Sequence, residues 1–169
     1  MARPEPVPAE AGLRALHPRQ VQVWAVWWAV GGLATAALVL TAEIGAGVTD
    51  EVDLPWPTGS ATGVVAVLAT VAVWRLPRLA FERWRYRLAE STLELYHGIV
   101  VRTHTAIPYF GVQHIDITRS PVERALGLSQ LVVHTAAATT DAKIPGVAAA
   151  EADDLRDVIL ARSGHGDAV

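Results

Sequence analysis

The chain contains no cysteine. Disulfide cross-links and thiol chemistry are therefore excluded, and a domain facing a reducing cytoplasm needs neither. Lysine and arginine are also missing from one long stretch: none occurs between Arg19 and Arg75, although the 169 residues include 14 of them. The formal net charge is −3, so the basic excess of a nucleic-acid-binding protein is lacking as well.

The cation-free stretch contains two apolar runs separated by an acidic loop. Residues 21–42 are uncharged, and about 20 apolar residues suffice for a helix to cross a hydrocarbon core of about 30 Å. A second uncharged run extends from Leu54 to Trp74; Pro55 and Pro57 open it, so its helix is predicted over 58–76. Between the two, an external loop over 43–57 carries Glu43, Asp50, Glu51 and Asp53 and no cation. Trp24, Trp27 and Trp28 lie near one end of the first span and Trp56 and Trp74 bracket the second, as amphipathic indoles do at the headgroup level. The competing readings are buried core helices and a cleavable signal sequence. The latter has an apolar region of about 7–15 residues, shorter than the first run here.

Basic residues in short flanks set membrane orientation. Arg14 and Arg19 precede the first span, and Arg75, Arg78, Arg83, Arg85 and Arg87 follow the second. Both termini are thus expected in the cytoplasm, with the two-helix hairpin in the cell membrane. No Asp, Glu, Lys, Arg or His lies within 21–42 or 58–74, so no ion or proton pathway is indicated. Gly31 and Gly32, and the Gly59-x-x-x-Gly63 spacing, are the expected helix-packing positions, within the hairpin or between copies.

Residues 1–20 contain Pro4, Pro6, Pro8 and Pro18 without apolar periodicity and read as a disordered lead-in. From Arg83 the period becomes two, placing Arg83, Arg85 and Arg87 on one strand face and Trp84, Tyr86 and Leu88 on the other. Thr92–Tyr96 forms the next strand, with His97-Gly98 turning into a strand over Ile99-Val100-Val101. Val112–Thr118 follows. Ser120-Pro121-Val122-Glu123 is a capping box with proline at the first helical position, and Gly127 stops that short helix. Gln130–Thr135, a turn at Thr139-Thr140-Asp141 and Ala142–Pro145 complete the strands. A closing helix over 148–162 carries Ala152, Leu155, Val158 and Ile159 as its apolar stripe. The whole is an α+β protein: a transmembrane hairpin over 21–76, a cytoplasmic domain over 77–163, and a tail over 164–169.

In this order the pieces resemble the bacterial pleckstrin-homology-like domain of YdbS-like membrane proteins. The matching residues are Leu16-His17-Pro18-Arg19, Tyr86-Arg87-Leu88, Leu93-Glu94-Leu95, Ile107-Pro108, Val112-Gln113-His114-Ile115-Asp116-Ile117, Leu126-Gly127-Leu128, Val132-Val133-His134-Thr135 and Ile144-Pro145-Gly146. The resemblance implies a bent sheet or small barrel plugged by the C-terminal helix. It also implies a non-catalytic, cofactor-free domain that binds protein, lipid or further copies of itself. Phosphoinositide-binding members of the wider class use a basic cluster in an early loop, whereas Glu90-Ser91 and His97-Gly98 bring none.

Three functional readings follow. An assembly scaffold at the cytoplasmic membrane face, with membrane-protein partners or its own copies, is preferred. The alternative is a module sensing anionic lipid through Arg75, Arg78, Arg83, Arg85 and Arg87, each worth about 1 kcal/mol at an anionic surface. A metal-dependent enzyme is the remote third. His97, His104, His114 and His134 are present with Asp116, but catalytic zinc needs three convergent protein ligands, and surface histidines without a metal are the expectation. Ser91 and Ser120 lack a nucleophile-elbow setting.

Overall fold

The computed structural model describes residues 12–49, 56–135 and 141–164. The expected disorder before residue 12, the loop acids Asp50, Glu51 and Asp53, the turn at Thr139-Thr140 and the tail after Gly164 lie outside them. Two compact units result: a helical unit, Val21–Phe81, and a sheet unit formed by the segment ending at Gln20 together with the chain from Glu82 onward.

The helical unit is an antiparallel pair, α1 (Gln20–Thr49) and α2 (Ser60–Arg83). At about 1.5 Å per residue both exceed a 30 Å core. Almost none of their apolar surface is buried within the chain, which removes the buried-core-helix alternative. Both helices overrun their predicted ends, and Glu43 shows why α1 does so. Expected in an external loop, Glu43 is instead helical and only 5 % exposed. Its carboxylate accepts from the backbone N–H groups of Gly59 (3.1 Å), Ala61 (3.0 Å) and Thr62 (3.3 Å) and from the Thr62 hydroxyl (2.6 Å). Those N–H groups open α2 and have no partner inside the helix, so a carboxylate there offsets both their desolvation and the helix dipole.

Of the four glycines expected at a helix contact, Gly32 alone meets the other helix. A Cβ there would lie 2.8 Å from the Ala69 Cβ, while Gly31, Gly59 and Gly63 face open space in this chain. Pro77 sits inside α2, where its ring offers no N–H to the Val73 carbonyl.

In the sheet unit, β1 (Arg14–Ala15), β2 (Arg85–Leu88), β3 (Thr92–His97) and β4 (Thr103–Pro108) form one antiparallel sheet in that order. A 3-10 turn, Tyr109–Gly111, leads into a second sheet of β5 (Val112–Thr118), β6 (Leu128–Thr135) and β7 (Ala142–Ala148), with α3 (Pro121–Leu126) between β5 and β6. Alternation puts Tyr86, Leu93, Leu95 and Ile107 of the first sheet and Ile115, Leu131, Val133 and Ile144 of the second into the core. Helix α4 (Ala152–Gly164) buries Ala152, Leu155 and Ile159. Arg162 fastens its end by donating to the carbonyls of Leu88 (3.2 Å) and Ala89 (2.8 Å) and to the Tyr109 hydroxyl (3.1 Å). The capping box of α3 forms in full between Ser120 and Glu123, and Gly127 ends that helix.

Three expectations are corrected here. The lead-in is ordered from residue 12: β1 pairs with β2, Leu16 is buried, and the His17 N–H donates to the Gly146 carbonyl at 2.8 Å. Gly146 has φ +63°, and a Cβ there would press on the Gln20 side chain at 2.7 Å, so glycine is required on two counts. The strand expected to start at Arg83 starts at Arg85, because α2 runs through Arg83; the three arginines do not share one strand face. Finally, Ile99-Val100-Val101 is not a strand. Gly98, at φ +117°, turns the chain where any Cβ would collide with the Val101 carbonyl, and β-structure resumes only at Thr103.

Candidate functional site

The five arginines proposed as a contact stripe have separate local roles. On α2, the guanidinium groups of Arg75 and Arg78 both lie over the Trp74 ring, 5.3 and 5.2 Å from its centroid, a cation–π pair at the end of the apolar run. Arg83 donates to the Ile99 carbonyl at 2.7 Å, and Arg85 to the Trp84 carbonyl at 2.7 Å. Arg87 is committed within the sheet: its Nε and Nη2 reach Glu94 Oε2 at 3.0 and 2.6 Å, and the Tyr96 hydroxyl donates to the same oxygen at 2.7 Å.

Burial alone would raise the Glu94 carboxyl, but the Tyr96 hydroxyl and the Arg87 guanidinium more than offset it and hold Glu94 below the usual carboxylate range. Burial, and then the bond to Glu94, push the Tyr96 hydroxyl up. Arg87 is thus a largely neutralised strut rather than a cation free for lipid. Trp27, Trp28, Trp56 and Trp74 are exposed along the helical unit, and Trp24 is half-buried.

Sequence reasoning missed the loop that Arg83 holds. Val100 is 93 % and Val101 75 % exposed. Their β-branched character suggested a strand, and no local signal shows that Gly98 diverts the chain. On the helical unit, small side chains instead line an open groove of about 830 Å³, with Ala25, Ala29, Gly32, Ala36, Ala66 and Ala69 among its walls.

The histidines divide in two. His104 stacks on Tyr96 and His97 on Trp84. His114 and His134 face each other across the β5–β6 ladder with ring centroids 4.3 Å apart, and Asp116 lies within reach of both. Ser120 is occupied with its cap, its hydroxyl accepting from the Glu123 N–H at 3.3 Å.

A family model described as "Bacterial PH domain" matches residues 24–163. The chain belongs to the bacterial PH domain family. Among its relatives is the "UPF0699 transmembrane protein YdbS" of Bacillus subtilis (strain 168), 33 % identical over 104 residues. That match takes in 62 % of this chain and 64 % of the relative's length, so the chain spans somewhat under two thirds of the curated protein it resembles. A crystal structure of a DUF1696 family protein with a pleckstrin-homology domain from Shewanella loihica PV-4 aligns with a TM-score of 0.39 at 11 % identity, covering 49 % of this chain and 73 % of that one. The protein is a membrane-associated member of the bacterial PH domain family. Its two long apolar helices precede the family's strands and closing helix.

Proposed function

We propose that this bacterial PH domain protein is a non-catalytic assembly scaffold that joins other membrane proteins, or further copies of itself, through its helical hairpin. Both termini lie on the cytoplasmic side in this reading, which rests on the basic flanks of the two spans. The observation that carries it is the open groove walled by Ala25, Ala29, Gly32, Ala36, Ala66 and Ala69. In lipid, helices associate by close packing where small residues let backbones approach. The absence of cysteine permits a clean test: single cysteines at Ala29 and Ala66 should crosslink in native membranes, and one at outward-facing Val67 should not. Recovery of monomers alone, with no co-purifying protein, would sink the scaffold.

A second reading, contact with anionic lipid, is favoured by the loop that Arg83 holds. Arg83, the last residue of α2, donates to the carbonyl of Ile99, the residue before the exposed Val100 and Val101. Apolar tips flanked by arginine suit the headgroup boundary. A fluorophore on Val100→Cys in nanodiscs should be quenched by lipids carrying a headgroup quencher, less so at high salt. Emission unchanged by the quencher would remove this reading.

A further inference from the structure

We propose that His114, Asp116 and His134 form a binding site for a divalent transition-metal cation, with Zn²⁺ as the reference ion and Asp141 orienting His134. Register assembles the site. His114 pairs with His134 across β5 and β6, and Val133 pairs with Ala142, which brings Asp141 into the same cross-strand row. Asp116 is two residues from His114 on the same outward face of β5. One donor atom from each of His114, Asp116 and His134 can be chosen so that all lie within 4.8 Å of one another.

The geometry favours a small ion. His134 Nε2 lies 3.3 Å from Asp116 Oδ2. Zinc–ligand bonds of about 2.0–2.2 Å at a tetrahedral angle place neighbouring donors about 3.3–3.5 Å apart, so this pair already spans one edge of a coordination tetrahedron. His114 is exposed and offers the third donor within 4.8 Å of the other two. On the far side, His134 Nδ1 is 3.0 Å from Asp141 Oδ1. A carboxylate accepting from Nδ1–H leaves the Nε2 lone pair directed at the ion, the usual way in which an outer carboxylate orients a ligating histidine.

The donor set selects the class of ion. Two imidazoles with one carboxylate suit Zn²⁺, Cu²⁺ or Ni²⁺, whereas Mg²⁺ and Ca²⁺ take oxygen ligands. The fourth position opens to solvent. A bound ion would tie β5 to β6 and to the residue leading into β7, adding a second link to the backbone ladder. The site is separate from the helical groove and from the loop at Val100, so its success or failure leaves the scaffold and lipid readings where they stand.

The test uses the untagged full-length protein in nanodiscs, with Zn²⁺ alone competed against a chromogenic chelator near neutral pH. The expected result is saturable uptake of one ion, weakened at least about tenfold in His114→Ala and in His134→Ala and about 10–100-fold in Asp141→Asn. His104→Ala should bind as the wild type does. X-ray absorption of the zinc form should report two imidazoles and oxygen in the first coordination shell. Circular dichroism checks that these surface variants fold. The proposal is overturned if the wild type shows no saturable uptake, if His114→Ala and His134→Ala bind with wild-type affinity, or if absorption shows no imidazole ligand.

Discussion

In the helical unit Leu33 and Leu38 are 72 % and 71 % exposed, while in the sheet unit Leu93 and Leu131 are fully buried. Glu43 and two acids of the sheet unit show the opposite order. Glu43 is sequestered against the start of α2, whereas the Asp116 and Asp141 side chains stand more than half exposed on the sheet. The rule that apolar groups leave water holds in both units if their solvents differ. The sheet unit buries its leucines against itself, and the hairpin leaves that task to lipid. At the open end of α2, Glu43 supplies acceptors that water would otherwise provide.

The comparison breaks most visibly at its leucines. Leu131→Ala should cost the sheet unit about 2–5 kcal/mol. Leu38→Ala should change stability by no more than about 0.5 kcal/mol, as at an unremarkable surface site. Thermal unfolding of both variants in nanodiscs checks the pair; equal losses would mean that Leu38 faces protein rather than lipid. Gly146→Ala comes next, with an expected loss of about 1–3 kcal/mol from strain at positive φ, read from the same melts. It should also loosen the segment around Gln20, seen as faster amide exchange at His17.

Glu43→Ala sharpens the other half of the contrast. It should lower the melting temperature of the hairpin and fray the start of α2 in amide exchange, with partial rescue by Glu43→Gln, which retains one acceptor oxygen. The smallest expected effect is pH-dependent. Glu94 titrates lower in the folded chain than when unfolded, so its contribution is present above its unfolded pKa, about 4.3, and is lost as pH falls through the lower folded value. Tyr96 is shifted up, so its contribution is present below about 10 and is lost as pH rises through its folded value. The stability advantage of the wild type over Glu94→Gln should therefore narrow in acid. An advantage that stays constant from neutral pH to pH 3 would contradict the assigned network.

Much of the architecture was legible in local patterns. The two apolar runs, the Ser120–Glu123 capping box, the stop at Gly127 and the Ala152, Leu155 and Ile159 stripe of α4 each depend on neighbours within one or two turns. The ordered series of motifs identified the family. The candidate sites were less legible, because each depends on residues far apart in sequence. Arg83 meets Ile99 16 positions on, Glu43 reaches Gly59, Ala61 and Thr62, and Arg87 is neutralised by Glu94 only through the β2–β3 register. The Ile99–Val101 run misled because β-branched residues favour strands only where a pleated surface receives them. Here Gly98 turns the chain away from one.

Composition and spacing were therefore enough to indicate a membrane hairpin and an α+β domain, since hydrophobic period and helix-end chemistry act over a few residues. Pairing at a distance settled the rest. Strand register brought His134 beside His114 and joined Arg87 to Glu94, and the antiparallel return of α2 gave Glu43 its partners. Such contacts depend on which elements pack together, and no local pattern encodes that choice.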